Sequence, residues 1–267
     1  FARTLKVMTR ETNILSSVIR QAYDSGALRV MTKNTPAKAT AAHICILGHI
    51  TSEELLRTMD STESANGFAN RFLWMAVKRS KFLPEGGQCL DSELAPLQEE
   101  FRQAVEFAKG TDEVCLNEDA RTLWRGVYPK LSDDQPGLCG AVTGRAEAQV
   151  LRLSLIYALL DRSHSVKPEH LIAALAFWER VEASVRYIFG DRTGDPVADA
   201  ILNALQSSGA MTQADISNLF GRHQSAERIG RALTTLQQAG RIKPERRETG
   251  GRPATLWRLV EEAKAAK

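Results

Sequence analysis

Between Ala41 and Ile50 the chain reads Ala-Ala-His-Ile-Cys-Ile-Leu-Gly-His-Ile, ten residues without a formal charge. A strand with one wet face alternates apolar and polar side chains, and this run does not. It therefore reads as a strand buried on both faces, as in α/β domains whose helices cover the sheet from both sides. A covered central sheet is the expectation. The neighbouring segments are read to fit it. Ile14, Leu15, Val18, Ile19 and Ala22 share one face of a helix over 12–25, with Gly26 as its stop. Leu28–Thr32 is a short strand joined to the apolar run by a polar loop with Pro36. Thr51 or Ser52 opens a helix with Glu53 and Glu54 in its favourable first turn, and Arg71–Lys78 is a further strand.

After Pro84-Glu-Gly-Gly87 the pattern turns helical for about a hundred residues. Asn117 caps a helix carrying Leu123, Trp124, Val127 and Tyr128. Arg145–Leu160 is apolar almost all round, and Pro168 opens a helix to Phe189. Gly190-Asp-Arg-Thr-Gly-Asp-Pro196 is a turn-rich linker. The expected domains are thus an α/β region at 1–84, a helical bundle at 85–190 and a separate unit at 195–267, a mixed α/β and helix-rich chain. Its 267 residues are enough for about two domains.

Several function classes fall away. No apolar run approaches the roughly 18 residues of a membrane helix, and no charged-then-apolar leader is present, so a soluble, cytoplasmic protein without a membrane partner is expected. Cys45, Cys89, Cys115 and Cys139 lie 44, 26 and 24 residues apart, which fits no metal-ligand or redox spacing. No paired catalytic carboxylates, Ser/His/Asp set or metal cluster stands out. The first residue is Phe1 rather than Met, which reads as a fragment of something longer.

The C-terminal unit has a specific order. Helices are expected at Val197–Gln206, at Gln213–Leu219 opening on Thr212, and at Ser225–Ala239. Two β-like runs, Arg241–Glu248 and Ala254–Leu259, flank Thr249-Gly-Gly-Arg-Pro253. Three helices and a hairpin make the winged-helix variant of helix-turn-helix. Charge gathers there as well: between Arg222 and Arg258 nine basic residues stand against three acidic ones, whereas residues 1–194 carry 24 of each sign. In the third helix Ile229, Leu233 and Leu236 form a core stripe, leaving Arg228, Arg231, Thr234, Thr235 and Gln238 for solvent or a groove. Lys243, Arg246, Arg247 and Arg252 decorate the wing, where arginines on a bent tip suit phosphate or minor-groove contact. DNA is the expected partner. A protein-interaction winged helix with a solvated basic face remains the alternative.

Three segments carry a family resemblance: His43-Ile-Cys-Ile-Leu-Gly-His49-Ile-Thr, Asn66-Gly-Phe-Ala-Asn-Arg71-Phe and Arg145-Ala-Glu-Ala-Gln-Val-Leu-Arg152-Leu. With them the sequence resembles a bacterial family of P-loop ATPases similar to the helicase half of phage and plasmid primase-helicases. The resemblance runs through Gly-Gly-Arg-Pro253. It implies part of a P-loop α/β core, a helical lid and a winged helix, from an enzyme that uses ATP and Mg²⁺ and assembles as a hexameric ring. The chain contains no Gly-x-x-x-x-Gly-Lys-Ser/Thr. By itself it is expected to bind no cofactor and to be inactive, the intact protein being the ATPase or helicase. A non-enzymatic winged-helix regulator with a dimerisation or sensing domain is the rival.

The resemblance also suggests roles. His49 resembles a sensor of the γ-phosphate, against a hydrogen-bonded histidine at a strand end. Arg71 resembles an arginine finger acting across a subunit boundary, against an ion pair to Asp60, Glu63 or another carboxylate. Arg145, Gln149 and Arg152 fall at i, i+4 and i+7, a polar stripe on an apolar helix. Buried arginines need an anion, either nucleotide phosphate or Glu147 and its neighbours. In the loop Lys33-Asn-Thr-Pro-Ala-Lys38, Lys33 and Lys38 match a hairpin that touches single-stranded nucleic acid in ring helicases, against a solvated turn.

Overall fold

The computed structural model describes residues 1–8, 10, 13–30, 36–59, 66–87, 90–133, 135, 137–190, 192–247 and 254–260. Among these residues eleven α-helices accompany small sheets of two, two and three strands, so the chain is mixed α/β and helix-rich. It divides into two compact units. One comprises Phe1–Phe68, Pro136–Ala141 and Asp191–Lys267; the other comprises Ala69–Gln135 and Val142–Gly190.

The first unit opens with α1 (Ala2–Met8), whose buried Leu5 and Met8 lie on the side that packs against α3 (Ser52–Thr58) and its buried Leu55. Thr51 caps α3 by accepting the Glu54 N–H at 3.2 Å. Asn13 starts α2 (Leu15–Asp24) by accepting the Leu15 N–H at 2.8 Å. The helix stops at Gly26, whose φ of +62° suits glycine and whose carbonyl accepts the Ala42 N–H. Strands β1 (Leu28–Val30) and β2 (Ala37–Ala39) pair antiparallel, with Leu28 opposite Ala39 and Val30 opposite Ala37.

The buried central strand is not there. Residues 43–50 follow an irregular, largely exposed course, with Leu47 91% exposed and Ile44 and Ile46 also open to solvent. The expected strand at Arg71–Lys78 is likewise absent: Ala69–Arg71 is a single 3₁₀ turn, followed by irregular chain in which only Trp74 is buried. The physical reason is the same at both places. A strand buried on both faces needs ladder partners on its edges and helices over its sides. Among the described residues, β1 and β2 pair only with each other.

In the second unit four helices pack on one another: α4 (Asp91–Lys109) on α7 (Ala146–Leu160), and α7 and α5 (Glu118–Leu131) on α8 (Pro168–Phe189). Ala146, Val150, Ser154 and Ala158 recur every four residues along α7, a narrow seam that lets α8 approach closely. Facing it, Leu171, Ala174, Trp178, Val181, Val185 and Phe189 fill the core. A parallel pair, β3 (Cys115–Leu116) with β4 (Ser165–Val166), ties the loops before α5 and α8. Asn117 caps α5, and Pro168 takes the first turn of α8, as the sequence requires. Buried His170 fixes the α8 entrance, accepting the Lys167 N–H at Nδ1 and facing Asp161 Oδ2 at 3.1 Å through Nε2. Helix α7 is not covered all round: Leu155, Ile156 and Leu160 are exposed.

Helix α6 (Gly137–Thr143) begins in the first unit, where the Leu138 N–H meets the Arg192 carbonyl at 3.1 Å. The C-terminal portion follows as α9 (Pro196–Ser208), β5 (Ala210–Thr212), α10 (Gln213–Leu219), α11 (Ala226–Gln238), β6 (Ile242–Arg247) and β7 (Ala254–Leu259). One sheet in the order β5-β7-β6, antiparallel throughout, closes over a core of Ile201, Leu205, Ile216, Ile229, Leu233, Leu236 and Ile242. Thr212 and Asp215 cap α10 reciprocally. The Thr212 hydroxyl and backbone N–H hold the Asp215 carboxyl below its ordinary range.

Candidate nucleic-acid interface

The basic cluster rests on α11 and the β6–β7 hairpin. Ser225 caps α11 by accepting the Arg228 N–H at 3.2 Å, which sets the phase of the helix. Ile229, Ala232, Leu233 and Leu236 then point inward, and Arg231, Thr234, Thr235 and Gln238 are exposed on the other side. Thr234 donates its hydroxyl hydrogen to the Gly230 carbonyl and Thr235 to that of Arg231, both at 3.0 Å. Their methyl groups and oxygen lone pairs are what remain for a partner. Arg231 lies 3.9 Å from Glu227, an exposed pair that holds little.

On the hairpin, Lys243 and Arg246 are exposed and, among the described residues, in no ion pair. Three positions apart on a strand, they lie on opposite faces, so the wing is cationic on both sides. Lys243 sits opposite Arg258 in the ladder, a repulsive pairing. Glu245, two residues on and on the same face, relieves it by binding Arg258 at 2.8 Å. The backbone of Arg247 continues β6 opposite Ala254. Arg252 and Lys33 lie outside the described residues. Lys38 is exposed at the centre of β2, opposite Arg29.

Arg228 departs from expectation. Instead of standing free it donates to Asp195 Oδ1 at 2.7 Å, its side chain 36% exposed and that of Asp195 21%. The same Oδ1 accepts the Val197 N–H at 2.9 Å and thereby caps α9.

The residues expected to sense nucleotide are distributed differently. His49 is exposed in the irregular segment of the first unit rather than at the end of a buried strand. In the second unit Arg71 closes the 3₁₀ turn and is half-buried. Asp60 and Glu63, its alternative partners, lie outside the described residues. The polar stripe of α7 is not a buried arginine row: Arg145 precedes the first turn, half-buried, and Arg152 is exposed. Only Gln149 is buried, 5% exposed, and its amide donates to the Asn70 carbonyl at 3.3 Å, pinning the 3₁₀ turn to the helix. Among the described residues no three His, Cys, Asp or Glu side chains are placed to hold a metal ion.

Sequence reasoning missed the Asp195–Arg228 pair and strand β5. The only local signal for the pair was Asp195 before Pro196, the signature of a helix cap rather than of an arginine partner. Comparison with protein-family models, with curated proteins and with solved structures finds no match for this chain.

Proposed function

We propose that this chain binds duplex DNA through a winged helix formed by residues 195–260, and that it is the DNA-engaging portion of a helicase-type P-loop ATPase. One observation carries the DNA reading: three helices and a β5-β7-β6 sheet present α11 and a two-stranded wing whose exposed groups are cationic or hydrogen-bonding. In this motif the third helix lies in the major groove, where Arg231, Thr235 and Gln238 reach base edges. Lys243, Arg246, Arg247 and Arg252 meet phosphates, and Lys38 with Lys33 offers a second contact to a single strand.

The ATPase part rests on the resemblance of the Asn66–Arg71 and Arg145–Arg152 blocks. In such an enzyme ATP and Mg²⁺ are held by a phosphate loop and an acidic strand, motifs absent from this sequence. Arg71, His49, Arg145 and Arg152 would complete that site in a ring of copies. A second reading, a non-enzymatic DNA-binding regulator, is favoured by the irregular course of 43–50 and the exposure of Arg152.

The test uses the whole chain and labelled duplex DNA in an anisotropy titration across a salt series. Replacing Arg246, Arg247 and Arg252 together by alanine should weaken binding evenly across sequences and reduce the salt slope by about three ion equivalents. Binding unchanged by the triple substitution would leave a protein-interaction module. The ATPase reading is tested beside it: the chain alone should turn over no ATP, and magnesium-dependent turnover sensitive to Arg71→Ala would show that the nucleotide site lies within these residues.

A further inference from the structure

Arg228 lies in the first turn of α11, where the unpaired backbone N–H groups make a positive end that disfavours a cation. It is held there by Asp195, at 2.7 Å and only partly exposed, which offsets that cost. Two features make the hold exchangeable. Asp195 Oδ1 also accepts the Val197 N–H at the positive end of the thirteen-residue helix α9, so the carboxylate keeps a partner if the guanidinium leaves. Among the described residues Asp195 is the one acceptor of Arg228's side chain, leaving its other N–H groups for a second anion. Asp199, in the first turn of α9, is engaged elsewhere: its Oδ1 accepts the Thr193 N–H and hydroxyl at 2.6 and 2.8 Å.

We propose that Arg228 is a two-position cation, parked on Asp195 in the free protein and passed to a backbone phosphate when α11 enters DNA, so that Asp195 competes with the nucleic acid. The proposal rests on the winged-helix reading. It makes Asp195 a brake on affinity, and it explains why a basic residue of the first helical turn is tied to the linker side of the unit.

Asp195→Asn separates the charge from the cap, since asparagine is an equally good N-cap acceptor. In the full chain, titrated against duplex DNA by anisotropy, this variant should bind about three- to ten-fold more tightly at low salt, with a salt slope steeper by about one ion. Arg228→Gln should weaken binding, and the double variant should show no gain over Arg228→Gln alone, the coupling expected of a direct pair. Affinity unchanged or lowered in a well-folded Asp195→Asn chain would overturn the proposal and leave Arg228 a tether. If thermal melting shows that Asp195→Asn does not fold, Arg228→Gln decides: undiminished DNA binding in that variant overturns it. An unsubstituted chain that binds no duplex at low salt removes the winged-helix reading, and the proposal with it.

Discussion

At Gly26 one absent atom sets the path of the chain. A Cβ there would lie 2.4 Å from the Ala42 carbonyl oxygen, a backbone atom with no side-chain rotation to escape by, and φ is +62°. Alanine would pay the left-handed penalty, about 1–2 kcal/mol, and force Ala42 to move besides. Gly26→Ala should therefore destabilise the chain by at least about 2 kcal/mol in urea unfolding, and a loss under about 0.5 kcal/mol would mean that the α2 exit shifts to accommodate the added methyl group. Arg222 presents the opposite case. It holds φ at +63° beside Gly221 at +57° in the turn between α10 and α11, with its Nε donating to Asn218 Oδ1 at 3.3 Å. An arginine bears there a backbone conformation that glycine would adopt without strain, at the mouth of the proposed DNA-reading helix.

Elements whose signals are local were legible. The helices expected from Val197, Thr212 and Ser225 are α9, α10 and α11, and the side chains of Asp195, Thr212 and Ser225 cap their starts. The Gly-Gly-Arg-Pro tip announces the hairpin whose strands are β6 and β7. What failed depends on partners remote in sequence. Three-residue β5 exists only because β7 supplies its ladder, Met211 opposite Trp257, and nothing within Ala210–Thr212 says so. The apolar runs at 41–50 and 71–78 carry strand-like composition, but composition cannot create the neighbouring strands that a doubly buried strand requires. Of the site, the outward face of α11 was readable from helical phase. The fate of Arg228 was not, since its acceptor lies 33 residues away. The α7 stripe misled for a geometric reason: the seam against α8 runs through Ala146, Val150, Ser154 and Ala158, which carries Arg152 to the opposite side.

For the whole molecule, charge and apolar exposure are segregated along the sequence. Residues 1–194 balance 24 cations against 24 anions, while the net charge of +3 comes from the C-terminal portion. The balanced part has no net field to hold copies apart, and it exposes Ile44, Ile46 and Leu47 within a run that has no lysine, acid or proline to guard it. Uncharged, exposed apolar segments of this kind associate with copies of themselves unless a charge interrupts them. The chain should therefore show concentration-dependent self-association through 43–50. Leu47→Lys places a charge at the centre of the run, where the native side chain is 91% exposed, so the substitution removes little packing. Sedimentation velocity over a concentration series should show larger species in the unsubstituted chain and a shift toward monomer in Leu47→Lys. Duplex DNA affinity per molecule should stay unchanged, because that affinity is assigned to residues 195–260. Equal association in both chains would place the self-contact elsewhere, with the exposed Leu155, Ile156 and Leu160 of α7 the next face to test.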